Sequence, residues 1–156
     1  MLTGAQHLQN IHPLVIHFPI GFLMGAALFY FAAWIFKKDD LAKTGFWVLL
    51  LGALSLVVAV GTGLYAEQGV MVHLSVREKI LSPHKNFMIA TTILCVISTL
   101  WALIQRPFPK KGRILFLILL LAMVGAMTIG ADFGGRLVYD YNAGGDACPQ
   151  PIRFTK

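Results

Sequence analysis

IHPLVIHFPIGFLMG, residues Ile11–Gly25, places two histidines at the start of an apolar run that continues to Phe36. The run is long enough to cross a bilayer, which takes about 20 apolar residues in a helix. An ionisable side chain inside such a span is energetically costly and is usually retained for a function. The two histidines, His12 and His17, are therefore the first candidates for a functional site.

The composition of the 156-residue chain indicates a membrane protein. Charged residues make up 13% and hydrophobic residues 57%, whereas soluble domains carry about 25% charged residues. The net charge of +6 is compatible with nucleic-acid binding, but the basic residues lie between apolar runs, where membrane topology explains them better. We therefore expect the lipid bilayer as a partner, and no nucleic acid.

Four apolar segments predict four transmembrane helices, each near the length that a spanning helix needs. The segments are Pro13–Phe36, Gly45–Tyr65, Phe87–Ile104 and Ile114–Gly134. No lysine or arginine precedes the first segment, so it is expected to be retained rather than cleaved as a signal peptide. The predicted fold is all-α: a four-helix transmembrane bundle formed by residues 1–145, followed by an exposed tail, residues 146–156.

The second linker, residues 66–85, is the longest and is expected to hold a short interfacial helix. Its alternating apolar residues also fit a strand by period, but an isolated strand at a membrane would leave backbone groups unpaired. Ser82 and Pro83 are expected to cap and open the third helix.

The basic residues predict the orientation of the bundle. Seven of them lie in or beside the first and third linkers, whereas the N-terminal segment has none. They are Lys37, Lys38, Lys43, Arg106, Lys110, Lys111 and Arg113. Cytoplasmic loops are enriched in lysine and arginine, so these two linkers are expected in the cytoplasm and both termini outside.

This topology brings the histidines to one side of the membrane. None of the five falls in a cytoplasmic linker; they are His7, His12, His17, His73 and His84. An outward-facing site is expected to collect His17 and His84 with Asp132 and Arg136. His12 is expected to anchor the first helix at the interface, and each of the other histidines has an ordinary structural role as its alternative.

The favoured occupant of this site is a haem b, because haem iron binds neutral imidazoles from facing helices and its porphyrin needs apolar walls. His17 and His84 are the predicted axial ligands. The surrounding residues predicted to contact the cofactor are Met24, Met88, Phe18, Phe87 and Gly134, with Lys85 and Arg136 bonding the propionates. At ~1.5 Å per residue, however, His17 lies roughly 9 Å deeper than His84 relative to the expected edges of their apolar segments.

Two other hypotheses remain open. A zinc or copper site formed by His12, His17 and His84 tolerates less regular geometry than a haem. A cofactor-free structural subunit would use its histidines only for hydrogen bonds between helices. Small residues at helical spacing on the second and fourth helices favour close packing, or else room for a flat cofactor.

Three motifs resemble a known family. His12-Pro13 through His17-Phe18-Pro19-Ile20, then His84 with Asn86, then the run from Gly134 to Tyr139 are similar to domain-of-unknown-function family 2231, small four-helix bacterial membrane proteins. The likeness covers about residues 10–145. Members often end the last motif with His-Gly-Val-Gly-Val, where this chain has Tyr141–Gly145, so a ligand role of that family histidine does not transfer.

The resemblance implies a bacterial membrane protein, so we expect the inner membrane, and the orientation predicted from the basic residues then makes both termini periplasmic. Some relatives resemble modules joined to c-type cytochrome domains, which implies electron transfer with a c-type cytochrome or a larger redox complex as partner. Independent catalysis is not expected, because no Ser or Cys nucleophile lies in a recognisable pattern with a histidine and an orienting acid.

Overall fold

The computed structural model of the protein describes residues 11–68, 70 and 72–143. It contains four helices long and apolar enough to cross a membrane: α1 (His12–Phe36), α2 (Asp39–Glu67), α3 (Leu74–Ile104) and α4 (Arg113–Tyr139). No strand occurs within those ranges. The predicted all-α four-helix fold is therefore confirmed, while the predicted tail, residues 146–156, and His7 lie outside the described residues.

The helices form two antiparallel hairpins. Most contacts between helices join α1 to α2 and α3 to α4, and fewer join the two hairpins through α1–α4 and α2–α3. The first hairpin turns at Lys37, which adopts a left-handed φ of 53°. Asp39 and Asp40 then occupy the first turn of α2, where carboxylates stabilise the positive end of the helix dipole.

The start of α3 differs from the prediction. The helix begins at Leu74 and passes through a π-helical turn at Arg77–Leu81 before it continues from Ser82 to Ile104. The predicted N-cap at Ser82 is wrong, because the residue before it is already helical and no side chain caps that position. His73 caps α3 instead, its side chain accepting a hydrogen bond from the Ser75 backbone N–H.

An aromatic cluster closes the end of the bundle that carries the basic linkers. Tyr30 is fully buried, and its hydroxyl donates to the Pro107 carbonyl at 2.9 Å. The Tyr30 ring lies 5.2 Å from that of Phe108 and 5.0 Å from that of Phe116. These contacts tie α1 to the α3–α4 linker and to the start of α4.

A second, smaller core closes the opposite end. Val76, Ile80 and Leu81 of α3 are buried against Leu137 of α4. The π-helical turn therefore covers the end of the bundle where α1 and α3 begin and where α2 and α4 finish. This is the end at which the candidate site lies.

Candidate functional site

Two histidines, His12 and His84, are each held against a glycine at this end of the bundle. His12 is the first residue of α1 and packs on the last part of α2, whereas His84 lies in α3 and packs on the last part of α4. The topology predicts that histidines from separate spans lie on one side of the membrane, and His12 and His84 lie at the same end of the bundle. The predicted pairing of His17 with His84 stays a prediction.

A backbone carbonyl fixes the ring of His84. Its Nδ1 lies 2.7 Å from the Gly130 carbonyl oxygen. A carbonyl only accepts hydrogen bonds, so Nδ1 must carry the proton. In the neutral ring the lone pair is then on Nε2, the nitrogen that would bind a metal.

A hydrogen bond to the Thr62 hydroxyl group fixes His12 in the same tautomer. The Nδ1 of His12 lies 3.0 Å from Oγ1 of Thr62, and the Thr62 hydroxyl donates its single proton to the Ala59 carbonyl at 3.0 Å. The Thr62 oxygen is then left to accept from Nδ1–H of His12. The neutral ring of His12 therefore also has its lone pair on Nε2.

A glycine lies directly beneath each ring. A Cβ atom at Gly63 would lie 2.9 Å from Cε1 of His12, and one at Gly134 would lie 2.9 Å from Cε1 of His84. Real Cβ atoms essentially never approach another atom so closely, so any larger residue would displace the ring. Each hairpin thus repeats one arrangement: a histidine near the start of its first helix rests on a glycine near the end of its second.

Apolar side chains extend the surface beside His84. The methyl group of Met88 packs on Gly130. The Phe87 ring stacks on Phe133 with 6.1 Å between centroids and 17° between planes. Met88, Phe87 and Gly134, all predicted to contact the cofactor, therefore lie around one of the paired histidines.

The predicted residues of α1 lie elsewhere. His17 is exposed, and its Nδ1 makes a local contact of 3.4 Å with the Leu14 carbonyl oxygen. Phe18 and Met24 are also exposed, at 57% and 42%. In the part of the chain that the structure describes, no group of three or more His, Cys, Asp or Glu side chains is arranged to hold a metal ion.

The charged residues form local ion pairs. The Lys85 ammonium bonds Glu67 at 2.8 Å, and Arg77 approaches the same carboxylate at 3.7 Å, so Glu67 joins the end of α2 to α3. Arg136 pairs with Asp140 at 3.5 Å.

Thr62 and Gly63 are the site residues that sequence reasoning missed. The sequence pattern groups Gly63 with other small residues as a packing position, and it indicates no partner for Thr62. The available signal is positional: a glycine near the end of the second helix matches Gly134 near the end of the fourth.

These features define a four-helix membrane protein with two histidines paired at one end of the bundle. A family model described as "Predicted membrane protein (DUF2231)" matches residues 8–147, and the chain belongs to that family. No curated protein matches the chain, and no solved structure does.

Proposed function

We propose that the protein is a haem b-binding membrane subunit for electron transfer, in which His12 and His84 would hold the haem iron. The observation that carries the proposal is that two imidazoles at one end of the bundle each have Nδ1 held by a protein oxygen. Imidazole ligands bind metals through one nitrogen while the other N–H is fixed by a carbonyl, carboxylate or water. Haem supplies one-electron transfer when it is bound.

The surroundings of the pair suit a flat and largely apolar group. Gly63 and Gly134 let the rings lie against the helix backbones. Met88 and the stacked Phe87–Phe133 rings supply apolar walls beside His84. The hydrogen bonds to Nδ1 hold each ring in one orientation and increase the basicity of its Nε2.

Pairing His84 with His12 instead of His17 also removes the mismatch in depth that was expected between His17 and His84. His12 precedes His17 by about one and a half turns, which at ~1.5 Å per residue is roughly 7.5 Å along the helix. This offset nearly cancels the mismatch expected between His17 and His84. His17 remains the ligand predicted from the sequence, and alanine variants of the two histidines separate the two pairings.

Lys85 is the proposed donor to a haem propionate. It directly follows His84, and its ammonium carries three N–H donors while it bonds the Glu67 carboxylate. The Lys85 ammonium can therefore form a charge-assisted hydrogen bond with a second carboxylate, that of a propionate.

We place the protein in the bacterial inner membrane with both termini periplasmic and with a c-type cytochrome or a larger redox complex as electron partner. The basic linkers support this orientation, because they lie at the end of the bundle opposite the histidine pair. Electrons would then enter or leave at the periplasmic face.

The second candidate function is a cofactor-free structural subunit of a membrane complex. The observation that favours it is that the same histidines bond across helices, His12 to Thr62 and His84 to Gly130. Hydrogen bonds of this kind stabilise helix pairs in membranes without any ligand.

The experiment is a reduced-minus-oxidised spectrum of the purified full-length protein, with the haem-to-protein ratio measured after extraction. The wild type is expected to show the sharp α-band of a six-coordinate haem b. His12→Ala and His84→Ala are each expected to lose bound haem by at least about tenfold, because removing one axial ligand leaves the iron with one protein bond.

His17→Ala and His73→Ala are the matched controls, since both remove an exposed histidine from the same end of the protein. Both are expected to retain haem. Circular dichroism and gel filtration in detergent establish that each variant is folded. Loss of haem in His17→Ala with retention in His12→Ala would overturn the proposed pair. A folded wild type that stays colourless after haem is supplied would favour the structural function, and one carrying zinc would favour a metal site.

A further inference from the structure

A cavity of about 390 Å³ opens beside the histidine end of the bundle, between the start of α3 and the end of α4. Val76 and Ile80 are buried and form its apolar floor. The complete lining is Ser75, Val76, Lys79, Ile80, Arg136 and Tyr141. Neither His12 nor His84 belongs to this lining.

The polar lining favours an anion. Lys79 and Arg136 come from two different helices and present only N–H donors, since neither side chain has an acceptor atom. Ser75 and Tyr141 also line the cavity, and the Ser75 hydroxyl donates to Nδ1 of His73 at 2.9 Å. Asp140 contacts Nε of Arg136 at 3.5 Å and leaves the guanidinium fork with further N–H groups.

The position of the cavity favours an anion that is located at the membrane surface. It lies where α3 begins and α4 ends, next to Leu74 and Tyr139, which are 65% and 89% exposed. Exposed apolar and aromatic side chains beside cations are typical of the headgroup region of a bilayer. A ligand in the cavity would reach it from the membrane surface, with its acyl chains lying along the exposed apolar side of the helices.

We propose that this cavity binds the phosphate of an anionic phospholipid headgroup, with Lys79 and Arg136 as its cationic contacts. Lysine and arginine bind phosphate oxygens through charge-assisted hydrogen bonds. Inorganic phosphate shares that chemistry but lacks the acyl chains, so the two sources are separable.

The test is native mass spectrometry of the full chain in detergent, titrated with short-chain phosphatidylglycerol, with phosphatidylcholine and with inorganic phosphate. The wild type is expected to retain phosphatidylglycerol in preference to phosphatidylcholine. Affinity is expected to fall roughly fivefold for each cation removed in Lys79→Gln and Arg136→Gln. Asp140→Asn removes the competing carboxylate and keeps both cations, so it is expected to bind at least as tightly as the wild type.

Lys110→Gln with Lys111→Gln is the matched control, because it removes two exposed lysines at the opposite end of the bundle. It is expected to bind like the wild type. The assignment would be overturned if the Lys79 and Arg136 variants bound phosphatidylglycerol as tightly as the wild type. It would also be overturned if the control lost as much affinity as these variants. Saturation by inorganic phosphate at the affinity of the lipid would overturn the lipid as the ligand.

Discussion

Gly134→Ala is expected to displace the His84 ring and with it the proposed haem, reducing the haem-to-protein ratio by at least about tenfold. The new Cβ would lie 2.9 Å from Cε1 and 3.1 Å from Nδ1 of His84. Adding one methyl group to a tightly packed position costs about 1–3 kcal/mol. The ring has to move, and its hydrogen bond to the Gly130 carbonyl is lost when it does.

The control is Gly125→Ala on the same helix, where a Cβ would meet nothing within 4 Å. This variant is expected to keep its haem and its thermal stability. The first hairpin offers the same comparison, with Gly63→Ala beneath His12 and Gly61→Ala in open space. Haem content and the melting temperature in detergent measure both pairs. If Gly134→Ala and Gly125→Ala have the same haem content and the same melting temperature, the glycine beneath the ring has no role in holding the ring.

Tyr30→Ala is expected to reduce the free energy of unfolding by about 3–5 kcal/mol, the range for truncating a large aromatic side chain in a core. Tyr30 is fully buried between the rings of Phe108 and Phe116, and its hydroxyl bonds Pro107. Tyr30→Phe removes only the hydroxyl and is expected to cost about 1 kcal/mol.

Reversible unfolding in mixed detergent micelles measures these differences. Tyr65→Ala is the control, because Tyr65 is 77% exposed and its loss creates no cavity. Equal destabilisation by Tyr30→Ala and Tyr65→Ala would show that the aromatic cluster does not hold the linker end together.

The spans were predictable because hydropathy reports directly on the solvent that a segment faces. The first span is observed at His12–Phe36 against a predicted Pro13–Phe36. Hydropathy does not predict where the helices end, since helices continue past the apolar region where caps and packing allow. The third helix therefore begins at Leu74, under a small apolar core that hydropathy does not reveal.

The sequence predicts the end of the bundle at which the candidate site lies, and it includes one of the two histidines of the proposed pair. Sequence reasoning places the histidines at one end and selects His84, because the order of the spans fixes which ends meet. It selects His17 over His12 because the sequence does not reveal how the first helix is rotated about its axis. The first helix is apolar nearly all round, so its sequence does not say which face meets α2. The structure turns His12 toward Thr62 and leaves His17 exposed.

The central claim is that His12 and His84 share one haem, and replacing each ligand by methionine tests it most directly. A histidine–methionine pair raises the reduction potential of a haem above that of the ligand set it replaces. His12→Met and His84→Met are therefore each predicted to keep haem and titrate at a higher potential than the wild type, while His17→Met titrates at the wild-type potential. A raised potential in His17→Met together with an unchanged one in His12→Met would contradict the account.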